Sequence, residues 1–206
     1  MKLKKIVSLA LAGIMAVSML TACGSNSTEN GGASSEGNTA TTGVSAALYD
    51  ELSLTAQRNV TFSDSSKLDA ALKEVVENYV SEADAVAAYR NGFAHNNTAA
   101  AQTKLADKLD AVENIGVNVY KADKTSTGVV VAVAGQGMSD QAILEATAEW
   151  IEDAVEGFIA ESADGKYGYT YTASASIVEK SGVAAMGTNR TVKYIAVSVT
   201  RTVTEL

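Results

Sequence analysis

The spacing of apolar residues changes once along this chain, near Ile115, and no other feature limits the fold as much. Upstream, Leu48, Leu52 and Leu54, then Leu68, Leu72, Val75, Val76, Tyr79 and Val80, recur at three to four residues, the period of helices buried on one face. Ser65 or Ser66 is placed to cap the second of these helices, with Asp64 and Asp69 where the dipole favours acids. An alanine-rich segment, 82–89, stops at Asn91-Gly92, and a further helix is expected over 98–112 on Leu105, Leu109 and Val112. Downstream the period is two. Val117 and Val119 alternate with Asn118 and Tyr120, a turn follows over 121–128, and 129–134 reads as a second, more buried strand. Ser139 then opens a long helix carrying Ile143, Thr147, Ile151, Ala154, Val155 and Phe158 on one side. Two long alternating runs, 167–178 and 195–203, complete the chain. Runs of helices followed by runs of strands predict an α+β fold. N-terminal helices would precede a β-β-α-β-β unit whose four strands form a largely antiparallel sheet with a crossing helix. With no proline and a single cysteine, such a domain is held by core packing alone.

The first residues follow another logic. Lys2, Lys4 and Lys5 precede an apolar stretch, 6–20, and small residues lead to Leu20-Thr21-Ala22-Cys23. The stretch is shorter than the roughly 20 residues a bilayer span requires, so it reads as a secretory signal. The four residues ending at Cys23 resemble the lipobox of bacterial lipoproteins. That resemblance implies cleavage before Cys23, lipid on its sulfur and amine, and a chain held at the cell membrane on the extracytoplasmic side. Two or more acyl chains anchor stably. Residues 24–43, rich in Gly, Ser, Thr and Asn, have too little apolar surface to order themselves and act as a flexible tether of about 25 Å. The expected organisation is a signal peptide at 1–22, lipidated Cys23 with its linker to 43, and one globular α+β domain over 44–206.

Charge narrows the partners. The chain carries −8, and loss of the three signal lysines leaves −11, an acidic balance that disfavours nucleic acid and anionic headgroups. Beyond Cys23 there is no thiol for catalysis or metal binding, and His95 is the only histidine, too few for ordinary zinc ligation. No G-x-S-x-G elbow occurs to serve a serine nucleophile. Gly135-Gln136-Gly137 between strand and helix has the outline of a dinucleotide-binding turn, but Asp140 stands where the third glycine is needed and repels phosphate. Glu145, Glu149, Glu152, Asp153 and Glu156 opposite the apolar stripe read as a solvated helix face. Tyr167, Tyr169 and Tyr171 share one strand face and are expected in the core. No cofactor and no metal is expected.

Phe93-Ala94-His95, Glu113-Asn114-Ile115, Trp150 and Gly182-Val183-Ala184 occur in that order. This series resembles the CAP superfamily, whose secreted bacterial members show F-S-H, G-E-N-I, a helix with Trp, and G-V-G-V-A in a strand. In that family two histidines and two acids line a cleft, and the resemblance implies His95 as the first histidine and Glu113 as one acid. Where the second histidine belongs, Glu156-Gly157-Phe158 stands, and the stretch from Asn114 to Trp150 is longer than the family's. Two function classes follow: a non-enzymatic, membrane-tethered module binding an envelope protein, cell-wall polymer or small ligand, and a hydrolase built on His95 and a carboxylate. The composition favours the first.

Overall fold

The computed structural model describes residues 43–206 except 97, 118, 119, 185 and 186; Cys23, the expected signal peptide and all of the expected linker but Gly43 lie outside the described residues. Helices α1 (Val44–Glu51) and α2 (Leu54–Asn59) lead into a two-residue strand, β1 (Thr61–Phe62). Helices α3 (Ser66–Tyr79) and α4 (Glu82–Ala88), a 3-10 turn over Tyr89–Asn91 and strand β2 (Phe93–Ala94) follow, then α5 (Ala99–Leu109) and β3 (Ala111–Val112). The second half holds β4 (Ser126–Ala134), α6 (Asp140–Glu156), β5 (Tyr167–Val183) and β6 (Asn189–Glu205). Serines cap the helices as their sequence positions imply: Ser65 Oγ accepts the Leu68 amide at the start of α3, and Ser139 Oγ the Ala142 amide at the start of α6.

One six-stranded sheet runs β1-β5-β6-β4-β2, with β3 paired to β4 further along the same edge. The β5–β6 hairpin is antiparallel from Tyr167 opposite Glu205 to Val183 opposite Asn189, and β4 pairs antiparallel with β6. The short strands β1 and β3 add parallel pairings, to β5 and β4.

Helices cover both faces. On one, Leu48, Ala56, Ile143, Ile151 and Val155 from α1, α2 and α6 pack against Val130, Ala132, Tyr171, Ala173, Ile195 and Val197. On the other, Leu68, Leu72, Val75, Ala85 and Leu105 from α3, α4 and α5 pack against Val129, Val131, Val133, Tyr194 and Ala196. This double cover explains why every residue of 129–134 is buried, so that β4 carries no polar alternation. The Tyr169 and Tyr171 side chains lie in the first of these cores.

Several expectations are corrected. The sheet is not the four-stranded β-β-α-β-β unit: its long strands are β4, β5 and β6, and its other three strands have two residues each. The strand expected over 117–120 is absent among the described residues; Val117 and Tyr120 lie outside any strand, and Asn118 and Val119 lie outside the described residues. The backbone closes a tight turn instead, the Tyr120 amide donating to the Val117 carbonyl at 3.4 Å, and side chains hold the loop against the sheet. The buried Tyr120 hydroxyl donates to the Val199 carbonyl at 3.2 Å, and the Arg201 guanidinium takes the carbonyls of Lys121 and Lys124. The loop presses on β4 at Gly128, where a Cβ would come within 2.0 Å of the Asn114 carbonyl oxygen. The helix expected to run to Val112 likewise stops at Leu109, because Asp110 turns left-handed (φ 54) and the chain joins β4 as β3.

The acidic face of α6 is also only partly free. Glu145, Glu149 and Asp153 are exposed, but Glu152 accepts the Ser53 amide at 2.8 Å and Glu156 the Ser53 hydroxyl at 2.7 Å. Asn59 donates to the carbonyls of Val155 and Glu156, so both ends of α2 are tied to the last turn of α6.

Candidate functional site

The residues nominated by sequence fall into separate places. Pairing of β2 with β4, Phe93 opposite Ala134, sets the chain so that His95 follows immediately at the sheet edge. The His95 imidazole lies flat on the half-buried Trp150 indole, ring centres 4.8 Å apart and planes 15° apart. Phe93 meets the same indole edge-on at 6.2 Å. Phe93, His95 and Trp150, which carry part of the CAP resemblance, therefore meet in space. Glu113 goes elsewhere: its carboxylate accepts the Thr103 hydroxyl at 2.9 Å and its carbonyl the Gln102 amide at 2.8 Å, both from α5. Gly182 serves packing, since a Cβ there would come within 2.4 Å of the Glu82 carbonyl oxygen. Among the described residues no three His, Cys, Asp or Glu side chains are grouped to hold a metal ion, and no helix is long and apolar enough to cross a membrane.

The G-x-G segment has a structural role that its sequence did not reveal. The Gly135 amide donates to the Gly92 carbonyl and the Gln136 amide to the Tyr89 carbonyl, at 2.8 and 2.9 Å. A Cβ on Gly135 would lie 2.4 Å from the Tyr89 carbonyl oxygen, so only glycine permits this approach. Gln136 and Gly137 both turn at positive φ, 55° and 69°, and Met138 closes the turn on the Gly135 carbonyl. The start of α6 beyond it is already neutralised, because Asp140 pairs with Lys193, which also reaches Glu179 at 3.4 Å. Burial alone would lower the Lys193 pKa, but the hydrogen bond and charge of Asp140, helped by Glu179, hold it above the usual lysine value.

This turn forms one side of a groove of about 360 Å³. The 3-10 turn brings Tyr89 and Arg90, the end of the β5–β6 hairpin brings Ala184, Thr188 and Arg190, and Gln136 closes the third side. The Arg190 guanidinium sits 4.7 Å from the centre of the Tyr89 ring. Gln136 Nε2 donates to the Arg90 carbonyl at 2.6 Å, which fixes the turn to the site. Neither arginine has a carboxylate within ion-pair distance among the described residues. A smaller cavity of about 220 Å³ lies between α4 and the start of α5. Tyr194 lines it; burial pushes its hydroxyl up to about 12, with the Asp84 charge adding to the shift.

Sequence reasoning missed the groove. Arg90 and Arg190 are far apart in the chain and neither belongs to a periodic pattern. The one usable signal was that two of only four arginines in an acidic chain stand beside Gly- and Asn-containing turns, Asn91-Gly92 and Gly187-Thr188-Asn189. Comparison with family models, with curated proteins and with solved structures gave no match.

Proposed function

We propose that the chain is a lipoprotein, held through lipidated Cys23 on the extracytoplasmic side of the cell membrane, whose folded part is a non-enzymatic binding module of the envelope. The anchor and its side rest on the basic head, the apolar stretch and the small residues before Cys23. The binding role rests on one observation: an open groove of about 360 Å³ with two arginines that lack carboxylate partners among the described residues. The residues of the hydrolase alternative are engaged separately, His95 on Trp150 and Glu113 on Thr103. An envelope protein, a cell-wall polymer and a small ligand are the partner classes this reading allows.

Labelling cells with a palmitate analogue tests the anchor. The native chain should take up label and sediment with membranes, whereas Cys23→Ala should lose the label and appear in the medium or as uncleaved precursor. Normal processing and membrane retention of Cys23→Ala would refute the lipoprotein reading. The folded part is tested by thermal melts of the full chain in detergent with soluble envelope extracts, since a ligand that binds only the folded state raises the melting midpoint. Hydrolysis of cell-wall polymer that disappears in His95→Ala would favour the hydrolase instead.

A further inference from the structure

We infer that the Arg90–Arg190 groove is a binding site for a carboxylate flanked by a small apolar group, as at the C-terminus of a short peptide. This rests on the reading of the folded part as a binding module and names the chemistry it recognises. A guanidinium presents paired N–H donors that match the two oxygens of a carboxylate. Arg190 is held in place by the Tyr89 ring beneath it, 4.7 Å away, which reduces the freedom lost on binding. A net charge of −8 over the whole chain makes two arginines at one groove, without carboxylate partners among the described residues, a local exception, and an anion is drawn there.

Carboxylate is favoured over phosphate by the backbone around the site. Phosphate sites characteristically use free main-chain amides. Here the amides of Gly135, Gln136 and Met138 are all bound to carbonyls, at 2.8, 2.9 and 3.1 Å. The groove itself offers the two guanidinium groups, with Thr188 and Gln136 beside them. Val86 and Ala184 supply an aliphatic wall beside them, which suits a methyl or short side chain next to the acid.

The probes are N-acetyl-alanyl-alanine, its C-terminal amide, propionate and inorganic phosphate, each added to the full chain in detergent and followed by saturation-transfer NMR with competition. The acetylated dipeptide should bind, and its amide should bind at least about tenfold more weakly. Binding of propionate as tight as that of the dipeptide would assign the site to free small acids, within the same carboxylate chemistry. Arg190→Met and Arg90→Met should each weaken the dipeptide about tenfold or more with an unchanged circular dichroism spectrum. Arg190→Lys, which keeps the charge and loses the fork, should recover only part of that loss and guards against misfolding of the methionine variant. Equal affinity for acid and amide, tighter binding of phosphate, or undiminished binding by Arg190→Met would overturn the inference. If no carboxylate probe binds while envelope extract still raises the melting midpoint, the carboxylate assignment fails and the binding-module reading stands. Failure of both ends both.

Discussion

Two arginines on β6 occupy similar aromatic settings and have opposite fates. Arg201 lies between the rings of Tyr169 and Tyr120, 4.4 and 5.0 Å from their centres, and is 3 % exposed. Arg190 lies over one ring, that of Tyr89 at 4.7 Å, and lines an open groove. Burying a guanidinium without a carboxylate is costly, and at Arg201 the cost is offset by the carbonyls of Lys121 and Lys124 together with the two rings. Its Nε, and the hydroxyl of its cross-strand neighbour Ser126, still have no partner. At Arg190 no carbonyl among the described residues accepts from the cation. An aromatic face is therefore compatible with either use, and the position of nearby backbone carbonyls separates a cation that holds the fold from one that retains donors for an external oxygen.

The largest effect should come from the closed site. Arg201→Ala removes two hydrogen bonds from a charged donor, leaves the Lys121 carbonyl with only its turn bond from the Lys124 amide, and opens a void between tyrosines, for a loss of about 3–5 kcal/mol. Denaturant melts of the full chain measure it. A loss below about 1 kcal/mol would mean that the loop over 113–125 holds itself without Arg201, and the contrast between the two arginines would collapse.

A smaller loss is expected with rising pH, and it sharpens the same contrast. Burial raises the pKa of Tyr120, the nearby Tyr171 adds to the shift, and the Arg201 charge opposes it. Burial also raises Tyr171, again against Arg201, and on the opposite face it pushes Tyr194 up to about 12. A folded-state pKa above the unfolded one gives stability that is complete below the ordinary tyrosine value, about 10, and is lost as pH rises through the folded value. Stability should hold up to about pH 10 and decline toward pH 12. In a tyrosinate absorbance titration, Tyr120 and Tyr171 should ionise together with unfolding. Early, gradual ionisation of these two before any loss of structure would show that the site is open to solvent.

How much of this was legible in the sequence depends on what made each element. The helix α6 was read almost whole because its stripe repeats over several turns: Ile151 at its centre is 2 % exposed while Glu149 faces solvent. The strands β5 and β6 were plain from their alternation over 167–178 and 195–203, but their paired ends, to Val183 and from Asn189, lack a sustained apolar alternation and were missed. By contrast β1, β2 and β3 have two residues each and exist because a longer strand offers them an edge, so they leave no local pattern. The 117–120 stretch misled because valine alternation predicts a strand, while the Tyr120 amide closes a turn onto the Val117 carbonyl and the Tyr120 hydroxyl bonds the Val199 carbonyl of β6. Glu152 and Glu156 read as solvated acids because nothing in the α6 pattern indicates that Ser53 arrives against them. Of the candidate sites, the residues around Trp150 could be named from order alone, but the groove could not, since only the fold brings Arg90 beside Arg190.

The smallest effect on stability should come from the open site. Arg190→Ala loses one partly solvated cation–π contact, worth about 0.5–1 kcal/mol, and breaks no hydrogen bond to a buried carbonyl. Its neighbours are an exposed turn and the face of Tyr89, both reachable by water, so no cavity or orphaned polar group is left behind. A loss of at most about 1 kcal/mol is expected in the melts used for Arg201→Ala, at least about threefold smaller than there. Measuring both variants at two salt concentrations adds a control. Arg190 adds one positive charge to an acidic chain, so its removal should destabilise slightly more at low salt, where the net negative charge is less screened. A loss equal to that of Arg201→Ala would make Arg190 a second structural cation. Little loss of stability together with a large loss of carboxylate binding is the combination required of a residue held ready for a ligand.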